Sequence, residues 1–429
     1  MVIKQTKQKF LRIKDDVGGF FLFFVLLYLI SVVKLSSSYE VSHSVFFTLY
    51  SVLIGMYILS RFIFAYFHKS IPYDDSYEPT VTFVVPAKNE EDNIAETIRR
   101  FSQASYPKEK MEVIAINDGS TDNTLGEMLK VQKETEALGM RVQVIDWKVN
   151  RGKRDGMAEG VKRARHEIII FIDSDSFIHS DCVRHLVKYF AYPKVGAVSG
   201  HTDVHNRDTN MLTRMQSLRY YVAFRVYKSA ESIFGNVTCC PGCCSAYRKA
   251  YLDPIIDQWL NQKFMGVKCT FGDDRSLTNF IIRQYDAVYS PEAMAYTVVP
   301  DTFRKYVRQQ QRWKKSWIRE TFIACSFMWR RNTLAAISFY AYMFLAVAAP
   351  VVFIRASIYH PFFVTHRWPI AYFSGLGLML LLHGVYYRNQ VKKTAWFLPV
   401  ITFWFYTIML MWQLPWAFVT MRDTRWGTR

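Results

Sequence analysis

The chain has 429 residues, of which 51% are hydrophobic and 21% charged, and its formal net charge is +18. The length would suffice for two soluble domains, but the apolar residues are concentrated in long runs, which excludes a fully soluble protein. The positive charge favours contact with lipid headgroups, nucleotide phosphates or an acidic product, and it does not choose among them.

Four apolar runs predict membrane helices, because each approaches the roughly 20 residues that span a bilayer. They cover residues 20–33, 45–67, 334–354 and 369–387. The first run is short and follows a lysine-rich start, so a secretory signal is an alternative. A second run follows at once, and a hairpin of two spans is the simpler interpretation. The positive-inside rule then keeps the N-terminus and the polar stretch 69–331 in the cytoplasm.

Short β-rich runs alternate with helical patterns after the linker IPYDDSYEP. Strands are predicted over residues 81–87, 111–118, 141–146 and 167–173, and helices over 90–103, 121–138 and 153–164. This alternation predicts an α/β domain with a doubly wound, mostly parallel sheet. In such sheets a ligand lies beyond the carboxyl ends of the strands.

Polar residues follow three of these strands. They are Ala87, Lys88, Asn89 and Glu90 after the first strand, Asn117 to Ser120 after the second, and Asp173 to Asp175 after the fourth. Each group alone could be a turn or a helix cap. Three groups at successive strand ends indicate a binding site instead.

The carboxylates of Asp173 and Asp175 suit Mg²⁺ or Mn²⁺ that also holds phosphate oxygens. Lys153 and Arg154 lie at the start of a predicted helix, where cations and backbone N–H groups could meet the same phosphates. The sequence therefore predicts a metal-bound nucleotide diphosphate.

A second acidic pair, Asp273 and Asp274, stands at the start of another predicted helix. The two side chains could simply complement the helix dipole. Alternatively one is a catalytic base that takes the proton of a sugar hydroxyl while a metal stabilises the departing diphosphate.

Four of the seven cysteines form the cluster CCPGCC, at positions 239, 240, 243 and 244. A zinc site is one interpretation. No histidine and no second CxxC lies within the usual spacing, and a reducing cytoplasm argues against disulfides. Small residues that line a tight pocket are the favoured interpretation.

The segment RQQQRWKKSWIRE, residues 308–320, combines cations with tryptophans before the C-terminal apolar region. Its aromatic and basic residues fall on separate helical faces, which predicts a helix in the membrane interface. Trp313 offers a flat apolar face on which a sugar ring could stack. The alternative is an aromatic membrane anchor.

Six motifs occur in one order along the chain: FVVPAKNEEDN, INDGSTDN, GKRDG, DSDS, GDDRSLTN and QQQRW. Together they resemble the processive family 2 glycosyltransferases. CCPG, GDDRSLTN, QQQRWKKSWIRE and the terminal RWGTR are most similar to hyaluronan synthases. RGKRDGM and CCPGCCSAY depart from that pattern, so a chitin-like or other polysaccharide synthase stays an alternative. A dolichyl-phosphate sugar transferase is a weaker alternative, because that class lacks QxxRW.

The resemblance implies roles for single residues. Asp118 would contact the uridine, Asp175 with Asp173 would hold the metal, and Asp274, beside Asp273, would be the general base. With the contacts inferred above, the expected nucleotide ligands are Ala87, Lys88, Asn89, Glu90, Asp118, Lys153, Arg154, Asp173, Gln309, Arg312, Trp426, Thr428 and Arg429. The expected acceptor ligands are Cys240, Lys268, Cys269 and Trp313.

The resemblance also implies a reaction and an organisation. The protein would polymerise UDP-GlcNAc and UDP-glucuronate with inversion, and it would extrude the growing polysaccharide through its own spans. It would be a multi-pass plasma-membrane protein in contact with lipid, a monomer or weak oligomer, with a cytoplasmic catalytic domain and no nucleic-acid partner. The expected domains are a membrane hairpin (1–68), a GT-A domain (69–300), interface helices (301–332), membrane or re-entrant helices (333–419) and a cytoplasmic tail (420–429).

The C-terminal region raises a conflict of topology. A full crossing by residues 396–419 would place the terminal WGTR outside the cell, whereas the resemblance places it at the nucleotide. Prolines interrupt this region at positions 399 and 415, and two arginines follow it. We therefore expect the segment to bend at Pro415 and to re-enter or lie along the inner face.

Overall fold

The computed structural model describes residues 25, 28–33, 36, 45–72, 76–390, 398–406 and 411–423. The chain forms two compact units. One comprises Met1–Ile63 with Ile337–Trp416, and the other comprises Phe64–Ala336 with Ala417–Arg429. The predicted roles of Trp426, Thr428 and Arg429 fall outside the described residues.

The helices and strands are numbered in chain order within the described residues. The α-helices are α1 Val45–Phe67, α2 Ile94–Ser102, α3 Thr124–Glu136, α4 Lys153–Arg163, α5 Cys182–Val187, α6 Met211–Val222, α7 Ser229–Ser232, α8 Lys249–Leu252, α9 Ile256–Leu260, α10 Asp273–Ile282, α11 Phe303–Cys325, α12 Thr333–Ile354, α13 Ile370–Gln390, α14 Leu398–Trp404 and α15 Gln413–Val419. The strands are β1 Val81–Ala87, β2 Met111–Asp118, β3 Arg141–Trp147, β4 Ile168–Phe171, β5 Ser176–Ile178, β6 Val195–Val204, β7 Ser245–Arg248, β8 Lys263–Phe264, β9 Val267–Lys268 and β10 Asp286–Thr297. Segments Ala223–Lys228 and Arg355–Val364 are π-helical, and Lys108–Lys110, Lys188–Ala191 and Met328–Arg330 form 3₁₀ turns.

Three helical segments of the described chain are long and apolar enough to cross a membrane: Leu49–Phe67, Thr333–Val364 and Ile370–Tyr387. They coincide with three of the four predicted spans, and the first predicted run is described only in part. The second segment extends beyond the predicted end at residue 354, because α12 continues into the π-helical turns of Arg355–Val364. Pro361 lies in those turns, and their wider hydrogen-bond spacing accommodates a residue without an N–H.

The C-terminal helices differ from the predicted bend. Residues 411–412 form a turn and α15 begins at Gln413, so Pro415 lies in the first turn of a helix. A proline is tolerated there because the first N–H groups of a helix have no intrahelical partner. The described interruption of the helix therefore precedes Pro415.

The second unit is built on one sheet of eight strands in the order β3-β2-β1-β4-β7-β6-β10-β5. Four of its seven adjacent pairings are parallel, namely β1 with β2 and β4, β2 with β3, and β6 with β10. The other three, at β7 and β5, are antiparallel. This confirms the predicted α/β class with a mostly parallel sheet.

The buried strands explain why the sequence pattern was informative. All residues of β1, β2 and β4 are buried, as expected for strands covered on both faces. On one face α2 buries Ile94, Ile98 and Phe101, and the Phe101 ring stacks on Phe83 of β1 at 4.2 Å. Strand β4 ends at Phe171, two residues before its predicted end, which leaves Asp173 in the following loop.

Candidate active site

The polar loops that follow β1 and β2 are joined by hydrogen bonds at one edge of the sheet. Asn89 adopts a left-handed backbone (φ 53°), a conformation that asparagine tolerates better than most residues. Its N–H donates to Ser120 Oγ at 3.0 Å, and its side-chain oxygen accepts from the Thr121 N–H at 2.9 Å. Ala87 and Glu90 are buried beneath this contact, while Lys88 is partly exposed.

Asp118 holds the loop that leads into α4. Its two carboxylate oxygens accept the backbone N–H groups of Arg151 at 2.6 Å and Gly152 at 3.0 Å. Gly152 has a φ of 103°, which favours glycine because a Cβ would be strained there. The structure thus gives Asp118 a role in ordering the loop, and its predicted contact with uridine remains a prediction.

Asp173 and Asp175 lie in the loop after β4, beside Lys153 at the start of α4. Lys153 Nζ forms an ion pair with Asp173 Oδ1. Burial opposes the charge of Lys153, but the Asp173 carboxylate outweighs this effect and raises the pKa of the lysine. Burial, and then the charge of Asp173, raise the pKa of Asp175 to about 7.

Because Asp173 disfavours the ionisation of Asp175, the two neighbouring carboxylates are a donor set that a divalent cation would stabilise. Within the described residues no cluster of three or more His, Cys, Asp or Glu side chains is placed to hold a metal ion. A metal at Asp173 and Asp175 would therefore need further oxygen ligands, which a diphosphate can supply.

Gly242 of the CCPGCC cluster approaches the same carboxylates. A Cβ at this position would lie 2.8 Å from Asp173 Oδ1 and 3.0 Å from Lys153 Nζ, so the approach depends on the missing side chain. The sequence did not single out Gly242 as a site residue. The Pro-Gly pair inside the cysteine cluster was the sequence feature that could have indicated a close approach of the backbone at Gly242.

The cysteines of this cluster line the site as neutral thiols. Cys239 Sγ donates to Asp274 Oδ2 at 3.6 Å, and the N–H of the fully buried Cys240 donates to Thr278 Oγ1 at 2.9 Å. Burial, followed for Cys239 by the charge of Asp274, raises the pKa of Cys239 and Cys240 to about 12. The contacts of Cys239 and Cys240 are those expected for the pocket-lining interpretation, which remains a prediction.

The two aspartates of the GDD segment have different surroundings. Asp273 is 4% exposed, and its Oδ1 accepts from Arg154 Nε at 2.7 Å. Arg154 is 2% exposed, and its guanidinium lies over the Trp259 ring at 4.7 Å. Asp274 is partly exposed, and its Oδ1 accepts the Arg275 N–H at 2.8 Å.

Two expectations need correction in consequence. Arg154 does not face an open phosphate site, because its side chain is buried against Asp273 and Trp259. Asp273 is not open to a substrate, because the same ion pair occupies it. Of this pair, Asp274 alone is partly exposed, and its role as the base remains a prediction.

Helix α11 carries RQQQRWKKSWIRE and packs on α10. A Cβ on Gly272, at the start of α10, would lie 1.9 Å from Ser316 Oγ, which shows how closely the two helices approach. Arg319 and Glu320 are 6% and 1% exposed and form an ion pair at 2.8 Å. The charged residues of this half of α11 are buried in protein, and the predicted position of the helix in the membrane interface stays a prediction.

The upstream half of α11 brings Gln309, Arg312 and Trp313 toward the acidic loops. Burial lowers the pKa of Arg312, while the charges of Asp273, Asp173 and Asp274 act in the opposite direction, so the guanidinium lies within electrostatic reach of both acidic pairs. Trp313 is 37% exposed. The Gln309 side-chain oxygen is buried and has no hydrogen-bond partner among the described residues.

Tyr220 of α6 is a neighbour that the sequence did not indicate. Its ring lies 6.4 Å from that of Trp313. Burial raises the pKa of Tyr220; Cys243, Asp175 and Asp173 contribute further increases and Arg219 opposes them, so the tyrosine lies within electrostatic reach of the DSDS loop.

The sequence model of glycosyl transferase family 2 matches residues 82–256, which include nearly all of β1, the strands β2 and β4, and the loops that follow these three strands. The Asp273–Asp274 pair lies beyond the matched residues. The protein is a glycosyltransferase that carries a family 2 domain.

This glycosyltransferase is similar to hyaluronan synthase of Streptococcus pyogenes, with 29% identity over 388 residues that cover 89% of this chain and 90% of the relative. N-acetylglucosaminyltransferases of Azorhizobium caulinodans and Bradyrhizobium diazoefficiens are 32% and 34% identical over 248 residues. That alignment covers 57% of this chain, and 62% and 50% of the two relatives. The chain is a hyaluronan synthase-like membrane protein.

A solved mannosyltransferase of Pyrobaculum calidifontis, in complex with GDP-Man and Mn²⁺, shares the fold of the glycosyltransferase. The TM-score is 0.60 at 21% sequence identity, and the match covers 87% of this chain and 97% of the mannosyltransferase. The agreement confirms the GT-A architecture predicted from the strand and helix pattern.

Two of the predicted acceptor residues of the glycosyltransferase, Lys268 and Cys269, lie at the end of the β8-β9 hairpin. Lys268 is exposed, whereas Cys269 is 2% exposed and its N–H donates to the Gln262 carbonyl at 3.0 Å. Burial is the main cause that raises the pKa of Cys269. Lys268 is thus accessible to a ligand, while the Cys269 thiol is enclosed.

The segment after α15 returns to α11. Lys315 Nζ donates to the Asp423 carbonyl at 3.2 Å and lies 3.6 Å from its carboxylate. Asp423 is the last described residue before the WGTR terminus. The last described residue of this segment therefore contacts the helix that carries QxxRW.

Proposed function

We propose that this glycosyltransferase is a hyaluronan synthase that adds N-acetylglucosamine and glucuronate alternately from their UDP-sugars to a growing chain. The observation that carries the proposal is the similarity to streptococcal hyaluronan synthase, which extends over 89% of the chain and so includes the apolar C-terminal region. The reaction inverts the anomeric carbon, and the polymer leaves through the protein's own membrane segments.

In this mechanism Asp173 and Asp175 would hold Mg²⁺ or Mn²⁺, whose charge stabilises the departing diphosphate when the ion is bound. The Mn²⁺ of the structurally similar mannosyltransferase supports this assignment. Lys153 stands beside Asp173 and Arg312 lies within reach of both acidic pairs, so both cations suit the diphosphate. Asp118 would orient the loop at the nucleobase.

Asp274 takes the proton of the acceptor hydroxyl as this oxygen attacks the activated sugar. The acceptor ring stacks on Trp313, whose face is exposed beside Tyr220. Cys239 and Cys240 close the other side of this pocket as small neutral groups.

The proposed organisation places the catalytic domain in the cytoplasm of a multi-pass plasma-membrane protein, with spans before residue 69 and after residue 332. The contact between Lys315 and Asp423 supports a tail on the catalytic side, because both residues belong to the same compact unit. Trp426, Thr428 and Arg429 would then reach the nucleotide.

Product analysis tests the proposal. Membranes that contain the protein receive UDP-GlcNAc, UDP-glucuronate or both, with Mg²⁺, with Mn²⁺ or with a chelator. We expect polymer only with both sugars and a metal, and complete digestion of this polymer by a hyaluronan-specific lyase. Asp175→Asn should raise the metal and UDP-sugar concentrations needed for half-maximal rate. A lyase-resistant product would contradict the assignment.

A second candidate is a synthase of an N-acetylglucosamine homopolymer. The rhizobial N-acetylglucosaminyltransferases favour it, since their identity of 32% and 34% exceeds that of the hyaluronan synthases over a shorter region. Polymer made from UDP-GlcNAc alone would support this candidate.

A further inference from the structure

Four charged side chains are buried where α4, α10 and α11 meet. Arg154, Asp273, Arg319 and Glu320 are 2%, 4%, 6% and 1% exposed. Charged residues are almost never this buried unless they are paired. Here they form the pairs Arg154–Asp273 at 2.7 Å and Arg319–Glu320 at 2.8 Å.

Gln262 joins the two ion pairs into one network. Its Oε1 accepts from Arg154 Nη1 at 3.3 Å, and its Nε2 donates to Glu320 Oε1 at 3.2 Å. Glu320 also accepts from Asn279 Nδ2 of α10 at 3.0 Å. Hydrogen bonds therefore run without interruption from α4 through α10 to α11.

Each helix in this network carries a reacting or binding group close to its buried charge. Arg154 directly follows Lys153 of the diphosphate site, and Asp273 directly precedes Asp274. Glu320 follows Trp313 by seven residues, or about 10 Å along a helix axis. The network thus connects the elements that bear the leaving-group site, the base and the acceptor platform.

Stability alone is a weak reason for such a network. Buried ion pairs are often no more stabilising than apolar residues of the same volume, because desolvation offsets their attraction. Their directional hydrogen bonds do fix geometry. A displacement of about 1 Å between reacting groups can lower a rate on the order of 100-fold.

We propose that Glu320 is a positioning residue for sugar transfer: through Gln262 and Asn279 it fixes the helix of Trp313 relative to the helix of Asp274. In this arrangement the acceptor hydroxyl meets the activated sugar before water does. The inference rests on the proposed function insofar as Trp313 binds the acceptor and Asp274 is the base.

The test compares sugar transferred to polymer with sugar released by hydrolysis of the same UDP-sugar, in the full-length protein. Glu320→Gln removes the buried charge, and Gln262→Met breaks the link between the two ion pairs while it keeps all four charges. Glu292→Gln is the matched control, because it removes another carboxylate of this unit that pairs with a buried lysine, Lys188, at 2.7 Å.

We expect Glu320→Gln and Gln262→Met to lower the ratio of transfer to hydrolysis by on the order of 10-fold. The affinity for UDP-GlcNAc should change less than about threefold, because neither residue faces the diphosphate. Glu292→Gln should leave the ratio unchanged.

An unchanged ratio of transfer to hydrolysis in folded Gln262→Met protein would overturn the inference. A decrease of this ratio in Glu292→Gln as large as that in Gln262→Met would overturn it as well. If Glu320→Gln does not fold, the ratio measured for Gln262→Met tests the inference, because this substitution leaves every buried charge with its partner. The proposed function fails separately, when the unmodified protein makes no lyase-sensitive polymer.

Discussion

At the scale of residues, the adjacent aspartates Asp273 and Asp274 differ in burial and in their contacts. Asp273 is buried and neutralised by Arg154, whereas Asp274 is partly exposed and contacts Cys239 and its own helix start. A helix places successive side chains about 100° apart, so one of two adjacent carboxylates points into the protein while the other faces the cleft. The difference separates the structural role of Asp273 from the catalytic role proposed for Asp274.

The first prediction concerns Asp274→Asn. The amide keeps the shape of the side chain but does not accept the hydroxyl proton, so transfer should fall by about 10²-fold or more. UDP-sugar binding, measured by calorimetry, should change little because the diphosphate contacts remain. Near-normal polymer synthesis by this variant would show that another group is the base.

The second prediction concerns Asp273→Asn, the adjacent control. The substitution leaves the Arg154 guanidinium buried without a countercharge, which costs about 3–5 kcal/mol of unfolding free energy. Thermal unfolding in detergent should show a lower midpoint for this variant and no comparable change for Asp274→Asn. Equal midpoints in the two variants would contradict the structural role of the Arg154–Asp273 pair.

At the scale of elements, α11 combines a buried half with an open half. Ser316, Arg319 and Glu320 pack against α10, while Phe303 is 51% and Trp313 37% exposed. The exposed aromatic residues explain why the helix resembles an interfacial one in sequence. Its buried polar residues explain how it is fixed to the catalytic domain.

The third prediction tests the contact between α10 and α11. Gly272→Ala introduces a Cβ 1.9 Å from Ser316 Oγ and 2.6 Å from Ser316 Cβ, at a backbone φ of 76°. The helices must separate, so polymer synthesis should fall on the order of 100-fold. Ser316→Gly in the same chain removes both clashing atoms and should restore most of the activity, with about 1 kcal/mol of backbone strain remaining. No recovery in the double variant would show that strain alone causes the loss.

The fourth prediction tests the exposed face of Trp313. Trp313→Ala removes a stacking surface worth roughly 0.5–1.5 kcal/mol beyond area burial, so elongation should decline more than hydrolysis of the UDP-sugar. Trp329→Ala is the control, because this tryptophan is 60% exposed and lies outside the site. A parallel decline of elongation and hydrolysis in Trp313→Ala would favour a simple anchor.

At the scale of the whole molecule, WGTR can reach the nucleotide only if the C-terminal tail lies on the same side of the membrane as the catalytic domain. Ala417–Arg429 belongs to the same compact unit as the catalytic domain, and Asp423 contacts Lys315 of α11. Both observations favour a tail on the same side of the membrane as the catalytic domain. The arginines at positions 422 and 425 favour the same side by the positive-inside rule.

The fifth prediction applies an impermeant maleimide to intact cells. A cysteine at Thr424 should react only after the membrane is permeabilised. A cysteine at Arg367, in the exposed turn between Arg355–Val364 and α13, should react from outside. Labelling of Thr424→Cys from outside would refute the nucleotide role of the tail.

The sequence by itself determined the elements whose signals are local. Strands β1 and β2 begin and end at the predicted residues, because a short, mostly apolar run between turn residues specifies a buried strand. The motifs at the ends of these strands identified the reaction class, since parallel neighbours bring such residues to one edge.

Tertiary structure alone decided which charged residues face the substrate. Arg154 and Asp273 are 119 positions apart, so no local pattern shows that they neutralise each other. Gly242 beside Asp173, Tyr220 beside Trp313 and Glu320 against Asn279 are likewise contacts between distant segments. Periodicity reports which face of an element is buried, and it contains no information about the partner. The partner is set by the packing of whole helices on the sheet, and that packing separates Asp274 from Asp273.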